Sequence, residues 1–151
     1  MKVLFVGGTG IISSACSQLA VARGIDLYLL NRGQSSRPAP AGTTILTGDI
    51  HDRTSAQAAL GNMTFDAVVN WIAFTPEHVE ADIDLFRGRT GQYVFISSAS
   101  AYQTPPACLP VTESTPLDNP FWDYSRAKIA CEERLVRAYR DEQFPITIVR
   151  P

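Results

Sequence analysis

The sequence predicts an α/β fold, an open, doubly wound parallel sheet forming one domain over residues 1–151. Three observations carry this. Short apolar runs rich in Val, Ile, Leu and aromatics recur without the polar alternation of a half-exposed strand, the pattern of strands covered on both faces. Helical stretches separate these runs, so successive strands must be joined by right-handed crossovers. The first run feeds directly into Gly7-Gly8-Thr9-Gly10 and then a helix. A chain of this length buries about two thirds of its unfolded surface, enough for a real core.

Taken in order, a strand over 3–6 leads into a helix over 11–23, which Gly24 stops directly after the basic Arg23. Strands over 27–30 and 44–47 follow. A helix over 53–60 has Asp52 or Thr54 as its cap and ends near Gly61. After a strand over 67–71, Thr75 caps a helix over 76–88 that carries Pro76 in its first turn. A strand over 93–97 precedes a segment, residues 102–120, that contains Pro105, Pro106, Pro110, Pro116 and Pro120. That density of proline rules out both a helix and a central strand. A loop so long in a compact domain is more often functional than idle, and its place between Ser98 and Tyr124 makes it a candidate wall or lid. A helix over 122–141 and a strand over 146–150 complete the series. The chain stops at Arg150-Pro151, right after that strand, so the expectation is a sheet truncated before a C-terminal substrate lobe.

Composition narrows the function classes. A net charge of −2 with scattered arginines gives no reason to expect nucleic acid or an anionic membrane as partner. No apolar run approaches the ~20 residues of a membrane span, and residues 3–6 are too few for a signal-peptide core. Cys16, Cys108 and Cys131 have neither metal-ligand nor redox spacing and read as reduced, mostly buried thiols of a cytoplasmic protein. His51 and His78 read as surface histidines, and no metal is expected.

The run from Gly7 to Ser13, with strand before and helix after, is the context that a Rossmann-type dinucleotide fingerprint requires. Gly7 permits the tight turn. Gly10 lets the backbone approach a pyrophosphate at a helix N-terminus, where the amides of Ile11 and Ile12 point outward. Ser13 stands in the place of the third small residue, which packs helix on sheet. At the end of the second strand an NAD site would present an acid to the ribose, whereas this chain has Asn31-Arg32-Gly33. Arg32 suits the 2′-phosphate of NADP, which is therefore favoured over NAD; the alternative is a plain turn with Arg32 in solvent. Asp49 and Ile50 follow the third strand and can border the adenine. The end of the fourth strand, including Trp71, Ile72 and Ala73, can line the cofactor with backbone.

Tyr124 and Lys128, four residues apart, share one face of a helix. There an ammonium can lower the phenol from its ordinary pKa of about 10. Of thirteen basic residues only Lys2 and Lys128 are lysines, which makes the pairing informative. Ser97-Ser98 falls at the C-terminal edge of the sheet, where open α/β folds bind ligands, although a polar strand end would read the same way. Tyr102, Phe121 and Trp122 either touch substrate or pack the proline-rich loop.

In its Gly7-Gly8-Thr9-Gly10, Gly48-Asp49-Ile50, Ser97-Ser98 with Tyr102, Tyr124-x-x-x-Lys128 and Arg150-Pro151, the chain resembles the N-terminal part of an extended short-chain dehydrogenase/reductase of the NAD-dependent epimerase/dehydratase group. The resemblance covers essentially the whole chain. It implies Ser98 as catalytic serine, Tyr124 as acid/base, Lys128 as its partner and as a holder of the nicotinamide ribose, and Pro151 beside the nicotinamide. It implies an oxidoreductase or epimerase/dehydratase acting on a sugar nucleotide or small carbonyl or alcohol, and pairing through the helices over 76–88 and 122–141 into a homodimer. Ser13 and Asn31 depart from the family pattern. The competing reading is an atypical nucleotide-binding relative acting as redox sensor or RNA-binding protein, against which the complete Ser98, Tyr124 and Lys128 set and the acidic balance argue.

Overall fold

A computed structural model describes every residue from Met1 to Pro151. The strands β1 (Lys2–Val6), β2 (Asp26–Asn31), β3 (Thr44–Thr47), β4 (Ala67–Asn70), β5 (Tyr93–Ile96) and β6 (Ile146–Val149) are separated by helices α1 (Ile11–Ala22), α2 (Arg53–Leu60), α3 (Pro76–Phe86) and α4 (Asp123–Glu142), except that no helix stands between β2 and β3. All strand pairs are parallel, in the order β3-β2-β1-β4-β5-β6. This is the doubly wound, Rossmann-type sheet the sequence predicts. The strand order reverses at β1, which pairs with β2 through Val3↔Leu27 and with β4 through Val3↔Ala67.

Right-handed crossovers sent to opposite sides of β1 leave their helices on opposite faces. The larger core, 19 buried residues, joins the sheet to α2, α3 and α4 through side chains such as Leu60, Ile83, Phe86, Cys131 and Leu135. The smaller, five buried residues, seats Ala20 of α1 on Val3, Phe5, Leu27 and Leu29. No helix is long and apolar enough to cross a membrane.

Local chemistry fixes the element ends. Asp52, rather than Thr54, caps α2, accepting the amides of Thr54 at 2.9 Å and Ser55 at 3.1 Å. Thr75 caps α3. Strand β4 stops at Asn70, one residue before the expected end, because the Asn70 side chain turns back to accept the Ile72 amide at 2.8 Å. Helix α3 ends at Phe86 rather than residue 88, since Arg87 already has extended backbone. Of the thiols, Cys131 is buried and Cys16 half-buried, but Cys108 is exposed in the proline-rich loop, against expectation.

One polar cluster lies inside the main core. The carboxylate of Asp82 on α3 accepts the Asn70 amide and the Tyr93 hydroxyl, each at 2.6 Å, and all three residues are buried. Burial pushes the Asp82 carboxyl up to about 7, the two donors pulling the other way. A folded pKa above the unfolded one means that this group's contribution is full below its unfolded value and is lost as pH rises towards about 7. Urea unfolding at pH 5 and pH 8 is expected to show a loss on the order of 2–4 kcal/mol through this residue. The Asp82→Asn variant should flatten that slope; an unchanged slope would place its origin elsewhere.

Candidate active site

The turn after β1 is built to let a ligand approach backbone. Gly7 has φ of 86°, and a Cβ there would lie 2.7 Å from Ile72 Cγ2. Ser13 closes the turn, its hydroxyl donating to the Gly7 carbonyl and accepting the Gly10 amide, both at 2.8 Å. Ser13 is itself buried, and Gly8 likewise has no room for a side chain, since a Cβ there would run into Leu29. Ser17 donates to the Gly8 carbonyl at 2.8 Å. The first amides of α1 lack intrahelical partners, and Ile11 and Ile12 are exposed there.

Two cavities meet at this turn, sharing Gly7, Gly10, Ile72 and Phe74. The one towards β2 and β3, about 460 Å³, is lined by Asn31, Arg32, Asp49 and Ile50 as expected, and also by Gln34, Ser35 and His51. The Asn31 side chain accepts the Gly33 amide at 2.9 Å and shapes the turn that presents Arg32. The Arg32 guanidinium stands 3.9 Å from the Asp49 carboxylate and is largely in solvent. His51 and His78 are not isolated. Their rings stack 3.9 Å apart, and His78 Nδ1 accepts the Phe74 amide at 3.2 Å. Partial burial, then the neighbouring His78, holds the His51 pKa down.

The second cavity, about 310 Å³, gathers Ile11, Ile12, Trp71, Ser98, Tyr124, Lys128 and Pro151. Lys128 is buried, and its ammonium donates to the carbonyls of Ala73 at 2.7 Å and Ile96 at 2.8 Å. It lies 5.7 Å from the Tyr124 ring centre, on the face of α4 that the four-residue spacing requires. Burial pulls the Lys128 pKa down to about 8. The Tyr124 ring packs beside Trp122, at 4.8 Å between centroids, and Phe74, at 6.4 Å.

Some expected neighbours stand elsewhere. Ala73 is wholly buried and lines neither cavity, its carbonyl being turned to Lys128. The loop over 102–120 lines neither cavity. It folds on itself through the bonds from the Gln103 amide to the Pro116 carbonyl and from the Thr104 amide to the Asp118 carbonyl. Ser97 does line the second cavity, but it directs its hydroxyl to buried Glu132, which pairs with Arg150 at 2.6 Å; Arg150 in turn donates to the Tyr102 hydroxyl at 3.0 Å. Tyr102 is thereby a brace, and Phe121 lines neither cavity.

Sequence reasoning missed Phe74, which borders both cavities, and Glu132. Each left a signal: an aromatic between a strand end and the Thr75 cap, and a carboxylate four residues after Lys128 on the same helix face. Two adjoining cavities meeting at a glycine-rich turn and a helix N-terminus fit a ligand of two nucleotides joined by a pyrophosphate.

Comparison with known proteins agrees with this fold. The chain is similar to the UDP-glucose 4-epimerase of Lactobacillus helveticus, 29% identical over 169 residues that cover 99% of this chain and 51% of that protein. Among solved structures, that of UDP-glucose 4-epimerase from Bifidobacterium longum in complex with NAD+ and UDP superposes with a TM-score of 0.83 at 19% identity, over 99% of this chain and 52% of that one. The UDP-Glc/GlcNAc 4-epimerase of Campylobacter jejuni gives 0.82 at 23% identity, with the same coverage of 99% and 52%. The chain thus spans about half the length of these relatives. The family model for NAD dependent epimerase/dehydratase matches residues 3–151, from β1 through Pro151, and the chain belongs to that family.

Proposed function

We propose that this chain carries the cofactor and proton-transfer half of a nicotinamide-dependent enzyme that oxidises and reduces a hydroxyl-bearing carbon of a sugar nucleotide, as an epimerase or dehydratase does. The single observation behind this is the gathering of Ser98, Tyr124 and Lys128 in the cavity that opens beside the glycine turn. The similarity to UDP-glucose 4-epimerases makes a UDP-hexose the first substrate to try. A homodimer formed through α3 and α4 belongs to the same reading; a monomeric mass in light scattering would remove it.

The cofactor supplies a hydride acceptor and donor when bound. The residues that would hold it are the turn from Gly7 to Gly10, the amides of Ile11 and Ile12, Arg32, Asp49, Ile50, Trp71, Ile72, Lys128 and Pro151. Arg32, with no acid at the end of β2, favours a nucleotide carrying a 2′-phosphate, hence NADP over NAD.

The chain's own chemistry is proton movement. Tyr124 gives or takes the proton on the substrate oxygen, and Ser98 donates a hydrogen bond to that oxygen as negative charge develops on it. Lys128 has three N–H donors, two of them committed to the Ala73 and Ile96 carbonyls, which leaves one to face a ribose hydroxyl or the Tyr124 oxygen.

Three outcomes follow for a protein assayed with UDP-galactose and UDP-glucose. Tyr124→Phe should lower turnover by about 10²–10⁴-fold, the range for a positioned acid/base, while leaving dinucleotide affinity within about twofold. Full turnover in that variant would remove the mechanism. A base whose pKa is depressed to about 8 is charged below that pH and neutral above it, so turnover should decline on the alkaline side through about pH 8. A profile flat to pH 10 contradicts a role for the ammonium. In thermal melts, a nucleotide at 100 times its Kd adds about 2.7 kcal/mol. NADPH should raise Tm more than NADH at equal concentration, and Arg32→Ala should erase the difference; a larger shift with NADH would reverse the cofactor preference.

A further inference from the structure

We propose that Asn119, Ser125 and Ser100 form a one-way chain of hydrogen-bond donors that holds the Ser98 hydroxyl as a donor into the cleft. The inference rests on the reading in which Ser98 faces the substrate oxygen. None of these three residues lines the cavity, and each acts on Ser98 through the next.

The chain starts from a group that can only donate. Asn119, buried at the end of the proline-rich loop, accepts the Phe121 amide through Oδ1 at 3.1 Å. That bond fixes which end of the side chain is which, and its NH₂ faces inward. There it donates to the Ser100 carbonyl at 2.8 Å and stands 3.4 Å from the hydroxyl of wholly buried Ser125. A hydroxyl carries one proton, so Ser125, approached by a donor, must send its own onward. The atom within reach is Ser100 Oγ at 2.9 Å. Ser100 Oγ in turn lies 2.9 Å from Ser98 Oγ and, having accepted from Ser125, donates there. Ser98 Oγ also accepts the Ser100 amide at 3.2 Å.

With two donors pointed at it, the Ser98 oxygen has its own proton left to give. It gives it on the side facing Tyr124 and Lys128. The opposite polarity, Ser98 to Ser100 to Ser125, would leave the proton of wholly buried Ser125 without an acceptor, its other side-chain neighbour being the donor NH₂ of Asn119. Chains of this kind also reinforce each link, so the buried origin strengthens the exposed end. Asn119, Ser125 and Ser100 are positioning residues: they decide that Ser98 meets the substrate oxygen as a donor and never as an acceptor.

Neutron diffraction from crystals of perdeuterated protein reads this directly, with no substrate. Deuterium is expected on Ser125 Oγ along the line to Ser100, on Ser100 Oγ along the line to Ser98, and on Ser98 Oγ away from Ser100 and into the cleft. Deuterium on Ser98 pointing at Ser100, or an Asn119 amide turned the other way, overturns the proposal. A kinetic arm adds the functional consequence for the sugar nucleotide that is turned over. Ser100→Ala should lower kcat at least tenfold with little change in KM, and Ser100→Thr, which keeps the hydroxyl, should restore it. Both variants are checked for an intact fold by the melting shift with NADPH. Equal kcat in wild type and Ser100→Ala contradicts the relay. If the wild type turns over no sugar nucleotide, the proposed function falls, and the neutron map decides the donor chain independently.

Discussion

The central place of β1 is the constraint on which the rest of the molecule depends. It is paired in parallel on both sides, to β2 and to β4, and the crossovers that run outward from it, through α1 to β2, and back across it, from β3 through α2 to β4, have one permitted hand. Helix α1 is therefore sent to one face and α2, α3 and α4 to the other, and the connections leaving the carboxyl ends of the neighbours β1 and β4 part in opposite directions. The crevice is a by-product of topology. The residues that follow β1 need only refrain from filling it, which is what Gly7 and Gly10 do.

Around that crevice, buried polar groups are placed so that each serves as another's partner. Asp82 takes two donors from β4 and β5, and Asn70, one of them, uses its other end to bend the chain into Ile72. Glu132 collects Ser97 and Arg150, and Arg150 reaches on to Tyr102. Apart from the Asn70–Ile72 bond, these bonds connect residues 11 to 48 positions apart in sequence. The indole N–H of Trp71, buried at the wall of the second cavity, has no partner within the chain. A polar atom left in that state costs about 1–3 kcal/mol, which bound water or a ligand acceptor would offset.

How much of this was legible in the sequence depended on whether the governing interaction was local. The six strands and four helices show in apolar runs and caps, because these are written in consecutive residues, although the edge strands β3 and β6 are not covered on both faces as expected and leave Ile45 and Val149 exposed. Strand ends were less legible, since a side chain such as Asn70 can end a ladder by binding the next residues. In the site, the glycine turn and the Tyr124–Lys128 pair are short-range patterns and were visible. Asn119 and Ser125 were not, because their roles arise only when the proline-rich loop, α4 and the end of β5 come together. His51 and His78 likewise become a pair only in the fold, 27 residues apart in number but stacked in space.

The anchoring of Lys128 has a consequence for how such a chain can change over evolutionary time. Its ammonium ties α4 to Ala73, beyond β4, and to Ile96, the last residue of β5, so the lysine is a fastening of the fold as well as, in the proposed mechanism, the partner of Tyr124. The Tyr124 ring, by contrast, meets its neighbours through aromatic packing with Trp122 and Phe74, which a phenylalanine would preserve. Activity and architecture can separate at the tyrosine and not at the lysine. A descendant that abandoned catalysis could shed the phenol first and keep the amine, so a lysine without its tyrosine would be the fossil trace of a retired enzyme in this fold.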